Sequence, residues 1–261
     1  RAIIGAGIPP ERGLDGEAHA LKRLSLGVPR LDAMLGGGLP EGYSLLIAGP
    51  AGSGKTILAT HFLAEGVRRG ERGVIAAFEK VPSQSQNPLL DELVRTGDVG
   101  VVDTRSLDRA IDVTLSELAE MIRRLNAKRV VIDSLSGYEL ALAPTFRENF
   151  RDSLYRMVAV LTGMGVTVLM TSELEDRYTD LRFSPYGTAF LTDAIIVQRY
   201  IEVDSRLRRV LAVVKVRASM HSNELRLFEI DATGILIGDM LADHEGLLGG
   251  RPTRRLPPAE S

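Results

Sequence analysis

Eight consecutive residues, Gly49 to Thr56, carry the clearest chemical signal in this sequence. They read Gly-Pro-Ala-Gly-Ser-Gly-Lys-Thr, which fits the G-x-x-x-x-G-K-[ST] pattern of a phosphate-binding loop in full. Glycines let the backbone wrap closely around phosphate oxygens, with its amide groups pointing inward. In such loops the lysine, here Lys55, pairs with the β- and γ-phosphates, and the hydroxyl, here on Thr56, binds Mg²⁺. The pattern therefore predicts binding of a nucleoside triphosphate with Mg²⁺.

The segments on either side of this loop are the ones that the motif requires. Residues 43–48 form a short apolar run that predicts a buried strand, and residues 56–67 are typical of a helix that begins at the loop. The alternative is a glycine-rich turn with no ligand, and the order strand, loop, helix favours the nucleotide. The predicted nucleotide contacts are Gly49, Ala51, Gly52, Ser53, Gly54, Lys55, Thr56 and Ile57.

Two acidic residues at the ends of apolar strands are candidates for the remaining chemistry. Asp133 follows the run 130–132 and would lie beside the loop, where it could hold Mg²⁺ together with Thr56. Glu79 follows the run 74–78, and a carboxylate there could polarise the water that attacks a γ-phosphate. Each has an ordinary alternative, since many buried strands end in an acid that starts a turn or faces solvent.

Short apolar runs alternate with amphipathic segments through the middle of the chain. Strands are predicted at 74–78, 99–102, 130–132, 166–170, 194–197 and 210–216, and core-facing helices at 116–125 and 150–161. Strands that are apolar throughout and separated by helices indicate a parallel sheet covered on both faces. The segments 206–217 and 224–230 follow one another without a helix, which predicts antiparallel strands near the C-terminus. The predicted fold class is α/β, with a mostly parallel central sheet flanked by helices.

Composition limits the classes of protein to which the chain can belong. Its 261 residues contain no apolar run that approaches the roughly 20 residues of a membrane span. The absence of cysteine excludes disulfides and thiolate metal sites and predicts a cytoplasmic protein. The net charge of −2 gives no reason to expect nucleic acid or an anionic membrane as a partner. Because the first residue is Arg1, we expect the sequence to be a piece of a longer protein.

Several segments around the loop resemble the KaiC domains of the RecA-like ATPases. The resemblance covers about Leu24 to Met240 and rests on 27–42, Phe78-Glu79, 131–135, 171–173 and 215–221, in this order and spacing. It implies a RecA-like P-loop fold and a hexameric ring of identical chains with ATP and Mg²⁺ bound between neighbours. It also implies ATP hydrolysis, a role in signalling and an unidentified signalling partner. The domain boundaries expected from it are an arm or linker at 1–21, the ATPase domain at 22–245 and a flexible tail at 246–261.

The same resemblance implies roles for residues far from the loop. Glu79 would be a catalytic residue together with Lys55. The residues that would contact a neighbour's nucleotide in trans are Lys215, Val216, Arg217, Ser219, His221 and, one residue out of register, Asp231. Lys215 and Arg217 alternate along a predicted strand, so both would project from one face and could stabilise charge on a γ-phosphate. The alternative is the polar face of an edge strand.

Three departures from the family pattern leave other functions open. Lys80 follows Glu79 where the family usually has a second glutamate, Leu174 replaces an arginine, and Ala218 replaces a glycine. These changes leave phosphate binding intact but bear on the rate of hydrolysis. A second hypothesis is therefore a nucleotide-dependent interaction module with negligible hydrolysis. A third is a DNA-dependent ATPase of the RecA or RadA type, for which the near-neutral charge and absence of tryptophan offer no positive support.

Overall fold

Helices and strands alternate through most of the chain and then give way to strands alone. The computed structural model describes residues 22–78, 87–103, 111–141, 150–174, 191–241, 244–247 and 252–254. The helices are α1 (Pro29–Met34), α2 (Lys55–Arg68), α3 (Pro88–Arg95), α4 (Ile111–Leu125), α5 (Leu135–Ala141) and α6 (Phe150–Gly163). The strands are β1 (Arg23–Leu24), β2 (Leu39–Pro40), β3 (Ser44–Gly49), β4 (Gly73–Ala77), β5 (Val99–Asp103), β6 (Arg129–Asp133), β7 (Thr167–Glu173), β8 (Ala194–Val203), β9 (Arg206–Val216), β10 (Arg226–Asp231), β11 (Gly234–Met240), β12 (His244–Glu245) and β13 (Thr253–Arg254).

A sheet of nine strands among the described residues forms the centre of the molecule. Its order is β11-β10-β9-β8-β3-β7-β6-β4-β5. The strands from β8 to β5 in this order are parallel, and β8 to β11 are joined as an antiparallel series. This confirms the predicted fold class, including the antiparallel strands near the C-terminus. The carboxyl ends of the parallel strands meet at one edge of the sheet, which is where open α/β sheets bind ligands.

Two apolar cores lie on opposite faces of this sheet. Along β3, Leu45 and Ile47 pack with α1, α2 and α3, whereas Leu46 and Ala48 pack with α4, α5 and α6. Successive side chains of a strand point to opposite faces, so a strand that is apolar throughout is covered on both. The positions of the strands and the two amphipathic helices were predicted correctly from this pattern. Among the described residues, no helix is both long and apolar enough to cross a membrane.

A fully buried arginine ties the sheet to α2. The Arg129 guanidinium, at the start of β6, pairs with the Glu71 carboxylate at 2.8 Å and donates to the Ser25 and Phe62 carbonyls. It also lies 4.7 Å from the centre of the Phe62 ring. Gly66 makes room for it, since a Cβ there would lie 2.6 Å from the Arg129 Cδ. This contact fixes the helix that begins at the phosphate loop against the parallel strands.

Candidate nucleotide site

The phosphate loop lies between β3 and α2, at the carboxyl edge of the sheet. β3 ends at Gly49 and α2 begins at Lys55. Gly52 and Gly54 have φ angles of +74° and +101°, in the left-handed region that glycine adopts without strain. A Cβ on Gly54 would also lie 2.5 Å from the Cδ1 of Ile230 on β10. Glycine is therefore required here both by the backbone conformation and by the close approach of a neighbouring strand.

The Lys55 ammonium is held inside the curve of this loop. Its Nζ donates to the backbone carbonyls of Gly49 and Pro50 at 2.9 and 2.8 Å. Lys55 is also the first residue of α2, so the positive end of the helix dipole adds to the charge of its side chain. Amide groups, a lysine and a helix N-terminus at one place form a site suited to phosphate groups.

Asp133 contacts the loop directly, as its predicted role as a metal ligand requires. The Thr56 hydroxyl donates to Oδ2 of Asp133 at 2.8 Å, and the Thr171 hydroxyl on β7 donates to Oδ1. The order of the strands produces this arrangement, because β7 lies between β3 and β6. Hydroxyl and carboxylate oxygens are the ligands that Mg²⁺ prefers. Thr171 has no predicted role in the sequence, and only the strand order shows that it orients the carboxylate.

The outer side of the loop packs against β8. The Ser53 hydroxyl donates to Oε1 of Gln198 at 2.9 Å, so it points toward β8 and only the backbone of Ser53 remains available to a nucleotide. The Tyr200 hydroxyl approaches Gly52 so closely that a Cβ there would lie 3.2 Å from it. Neither Gln198 nor Tyr200 was predicted, because β8 is distant in sequence and only the fold places it beside the loop.

A cleft of about 970 Å³ opens along the loop. This is in the range of pockets that bind small molecules and cofactors. Its lining includes five predicted nucleotide contacts and two acidic residues at the ends of parallel strands: Ala51, Gly52, Lys55, Thr56, Ile57, Asp133 and Glu173. Gly49 faces Glu173 in the strand register, and Ala77 faces Asp133. The cleft therefore brings together the predicted phosphate-binding residues and the predicted Mg²⁺ ligands Thr56 and Asp133.

The start of α3 forms another wall of the cleft. The Asn87 side chain caps α3 by accepting from the Leu90 amide at 3.2 Å, and its Nδ2 donates to Oγ1 of Thr60 on α2 at 2.8 Å. Pro88 is the first residue of this helix. An asparagine followed by proline is a helix start signal that could have been recognised in the sequence. Residues 83–86 lie outside the described part of the chain.

Most of the residues predicted to act in trans lie at the opposite edge of the sheet. Lys215 is opposite Ile195, near the start of β8, and the Arg217 amide donates to the Asp193 carbonyl. The six residues of β3 separate this edge from the phosphate loop, a distance of roughly 17 Å. The structure therefore does not bring Lys215 or Arg217 to the loop of the same chain.

Both cations of this segment bind the turn before β8. The Lys215 Nζ donates to the Thr192 carbonyl at 2.6 Å, and the Arg217 guanidinium lies 3.3 Å from the Asp193 carboxylate. Burial lowers the pKa of Lys215, the Arg217 charge adds to this effect, and Asp193 opposes it. The prediction that both lie on one strand needs a correction, since β9 ends at Val216 and Arg217 begins a turn. The Val216 side chain is buried in the core, so only its backbone is available to a neighbour.

Asp231 lies apart from the other residues predicted to act in trans. It ends β10 and lines the cleft of its own chain together with Lys55 and Thr56. Its carboxylate accepts from the hydroxyl and the amide of Thr233, and these bonds, above all the one from the hydroxyl, lower the pKa of Asp231. Next to it, Gly234 packs against His61, where a Cβ would lie 1.9 Å from the imidazole Nε2. The structure thus groups Asp231 with the loop of the same chain.

The predicted catalytic Glu79 and its neighbour Lys80 lie outside the described residues. The strand that precedes them, β4, ends at Ala77, opposite Asp133 at the carboxyl edge. Leu174, one of the predicted departures from the family pattern, is buried, and its amide donates to the Gly49 carbonyl at 3.0 Å. In this chain the His221 Nδ1 lies 2.9 Å from the Ser222 carbonyl oxygen. Its contact with a neighbour's nucleotide stays a prediction.

A glycine loop between a buried strand and a helix, with a carboxylate and two hydroxyls beside it, defines a P-loop nucleotide-binding protein. Comparison with known families gives a narrower result. The family model described as "ATPase: KaiC" matches residues 24–242, and the chain belongs to this family of KaiC-like RecA-type ATPases. Membership implies that the chain binds a nucleotide.

Individual relatives agree with this assignment. The chain is 33% identical to a UPF0273 protein of Thermotoga maritima, with 83% of this chain and 96% of that protein aligned. It is 30% identical to the circadian clock protein KaiC3 of Synechocystis, with 86% of this chain aligned to 47% of the relative, so it spans about half the length of that protein. The crystal structure of a KaiC-like protein from Pyrococcus horikoshii is similar, with a TM-score of 0.74, 29% identity, and 84% of this chain and 100% of that chain covered.

Proposed function

We propose that this protein hydrolyses Mg²⁺-bound ATP at a site shared by neighbouring chains of a ring and that the bound nucleotide controls signalling to a partner protein. The observation that supports the shared site most directly is the position of the two groups of cations. Lys55 lies at the carboxyl edge of the sheet, whereas Lys215 and Arg217 lie at the amino edge, by Asp193 and Ile195. A head-to-tail contact between copies would bring these edges together, and such contacts generate rings when they close.

The described residues fit ATP and Mg²⁺. The loop amides and Lys55 would hold the phosphates, and Thr56 and Asp133 would hold Mg²⁺, which neutralises charge on the triphosphate when bound. Asp133 is already oriented by Thr171, and Thr56 is already within hydrogen-bonding distance of it. In the proposed ring, Lys215 and Arg217 of a neighbour would stabilise the negative charge that develops during phosphoryl transfer. Glu79 is proposed to polarise the attacking water.

A second candidate is a module that binds ATP and assembles but hydrolyses it negligibly. The burial of Leu174 favours it, because a buried leucine supplies no charge beside Glu173 at the carboxyl edge. Lys80 next to Glu79 points in the same direction if the two side chains are close, since a nearby cation lowers the basicity of a carboxylate. Under this proposal, nucleotide-dependent assembly alone would control the partner.

One pair of measurements separates these candidates. Phosphate release would be followed for the wild-type chain, for Lys55→Ala and for Lys128→Ala, which removes an exposed lysine before β6. We expect Lys55→Ala to reduce turnover to background and Lys128→Ala to match the wild type. Mass would be measured in solution with and without ATP and Mg²⁺, and we expect a larger species with both.

The outcomes have distinct meanings. Equal background turnover in the wild type and in Lys55→Ala would exclude the hydrolytic function. If ATP still binds to the wild-type chain and drives its assembly without turnover, the protein functions as the interaction module. A protein that neither binds ATP nor changes in mass would exclude both. A Glu79→Gln variant with unaltered turnover would remove Glu79 from the proposed mechanism while leaving the rest in place.

A further inference from the structure

Arg23 connects two parts of the chain that are far apart in sequence. Its Nη1 donates to the carbonyls of Leu35 and Gly38 at 3.0 and 2.8 Å, and its Nη2 donates to Oγ of Ser219 at 2.5 Å. One end of the guanidinium thus binds the glycine turn after α1, and the other binds the segment that follows β9. Sequence reasoning assigned no role to Arg23.

The glycine turn is shaped to receive the segment 217–222. A Cβ on Gly36, which has a φ of +77°, would lie 2.7 Å from the Met220 carbonyl, so a side chain there would displace the backbone. The segment is attached at two further points, where the Tyr43 hydroxyl donates to the Arg217 carbonyl and the Ser222 amide donates to the Met34 carbonyl. Between these attachments, Arg23 binds the side chain of Ser219. Arg23 therefore holds the Ser219 hydroxyl in place, in addition to binding backbone carbonyls of the glycine turn.

The chemistry of the two side chains determines what this contact does. A guanidinium can only donate, so Ser219 Oγ accepts from Arg23 and its own O–H remains a donor. That O–H makes a long contact of 3.3 Å with the Met220 carbonyl. Exchange of this long contact for a charged phosphate oxygen would be favourable, since hydrogen bonds to ionised acceptors are shorter and stronger.

We propose that Arg23 is a positioning residue that holds Ser219 as a hydrogen-bond donor toward the triphosphate bound by the neighbouring chain. This inference rests on the proposed function, because it requires a site shared between chains. In the shared site, one chain contributes the phosphate loop and its neighbour contributes the segment with Ser219. The inference assigns Arg23 to the second contribution, although Arg23 precedes the phosphate loop in sequence. The ligand group it serves is an anionic oxygen of a nucleoside triphosphate.

Mixed rings test the assignment. Arg23→Met keeps much of the side-chain length and removes the donors, and we expect its turnover to fall at least roughly tenfold, because small displacements of groups at a reacting centre are costly. A 1:1 mixture with Lys55→Ala should recover part of the activity, since the intact loop of Arg23→Met can then meet the intact Ser219 segment of Lys55→Ala. With random mixing, about a quarter of the interfaces would be of this kind. A 1:1 mixture of Arg23→Met with Ser219→Ala should recover no activity, because both variants are defective in the same half of the site.

Matched variants control for folding and for general effects. Arg30→Met removes a comparable arginine, which binds the Ile237 carbonyl and Asp239 and makes no contact with Ser219, and it should retain wild-type turnover. Arg23→Lys keeps the charge but cannot span three acceptors, so its turnover should be intermediate. It also serves as the test if thermal melting shows that Arg23→Met is unfolded. The double variant Arg23→Met, Ser219→Ala should be no slower than Ser219→Ala.

Each result has one interpretation. Recovery with Lys55→Ala and not with Ser219→Ala would support the inference. An active wild type with Arg23→Met and Arg23→Lys both as fast as Arg30→Met would overturn it while leaving the proposed function intact. The absence of recovery with Lys55→Ala, where a Lys55→Ala and Arg217→Ala mixture does recover, would place Arg23 outside the shared half. A wild type no faster than Lys55→Ala would overturn both proposals.

Discussion

The two edges of the central sheet carry charged groups in different ways. At the carboxyl edge, the phosphate loop, Thr56 and Asp133 contact one another through side chains within one cleft. At the amino edge, Lys215 and Arg217 are held mainly by the turn at Thr192 and Asp193, and the Arg217 side chain is 58% exposed. The groups of the first edge contact one another, whereas the second edge leaves the Arg217 side chain largely exposed.

This difference has a simple physical origin. Parallel strands place the ends of β3, β6 and β7 together, so residues distant in sequence converge on one site. β9 runs antiparallel to β8, so the residues at its end arrive at the opposite edge. A folded domain cannot bring its two edges together, so the cations at the amino edge cannot reach a phosphate bound in the loop of the same chain.

The largest predicted effect tests whether the two edges work in different chains. Lys55→Ala and Arg217→Ala should each lower ATP turnover by about 10³-fold or more, the scale of losing a phosphate-binding cation or an arginine finger. A 1:1 mixture should recover about a quarter of wild-type turnover, since each variant has one intact edge. Phosphate release measures both. Arg208→Ala is the matched control, because Arg208 lies on β9 and forms a similar 3.3 Å pair with Glu229.

A mixture that stays inactive would contradict the shared site. Activity retained by Arg217→Ala alone would show that the amino edge takes no part in hydrolysis.

The next effect concerns the carboxyl edge alone. Asp133→Asn removes the charge that Thr56 and Thr171 hydrogen-bond, and we expect turnover to fall on the order of a hundredfold, the scale of losing one electrostatic stabiliser. The gain in nucleotide affinity on adding Mg²⁺ should also disappear. Titration calorimetry with and without Mg²⁺ checks this. Asp98→Asn, which removes the charge from a similar contact with Thr96 away from the cleft, should leave the Mg²⁺ effect unchanged.

A third change concerns the stability of the last turn of α2, at the end of the helix away from the phosphate loop. Hydrogen bonds from Arg68, and then from Arg69, lower the pKa of Glu65 on α2 from 4.5 to about 2. Because the folded-state pKa is depressed, the Glu65 carboxylate stabilises the fold above about pH 4.5, and this stabilisation is lost as the pH falls toward 2. Glu65→Gln should lower the free energy of unfolding by about 1–2 kcal/mol at pH 7, after screening of the exposed arginines.

Denaturant unfolding of the wild type and Glu65→Gln between pH 7 and pH 3 measures this. The difference between them should shrink below about pH 4.5. A difference that stays constant across this range would show that Glu65 acts through packing rather than charge. Glu41→Gln breaks the exposed pair with Lys22 and should change stability little at any pH.

The smallest effect lies at the amino edge. Ala218 has a φ of +49°, in the left-handed region where a Cβ costs about 1–2 kcal/mol and glycine is free of that cost. Ala218→Gly removes that cost but increases the entropy of the unfolded chain, so we expect a net gain of about 0.5 kcal/mol. Denaturant unfolding checks it. Ala33→Gly in α1 is the opposite control and should destabilise the fold.

Sequence patterns predicted the fold most successfully where structure is local and repetitive. The strands 74–78 and 130–132 are found as β4 and β6 to within one residue at each end, because their apolar runs are short and sharply bounded. α5 was not predicted, since seven residues give little periodic signal. β11 was not predicted either, because Gly234 at its start is typical of a turn. Asn87 and Pro88 mark the start of α3, because asparagine caps a helix and proline favours its first position.

For the site, the sequence by itself determined the phosphate loop and its chemistry. A loop of eight contiguous residues carries its own geometry, because its glycines and its lysine act on groups only a few residues away. The order of Asp133 and the 215–221 segment also placed the chain in its family. None of these signals depends on how the strands are arranged.

Only the tertiary structure decided which of these residues meet. It turned the Ser53 hydroxyl toward Gln198, placed Asp231 in the cleft of its own chain and put Arg217 at the far edge of the sheet. It also joined Arg23 to Ser219, which are 196 residues apart in the sequence. The reason is that strand order and direction follow from packing of the whole sheet, and no local run of residues specifies them.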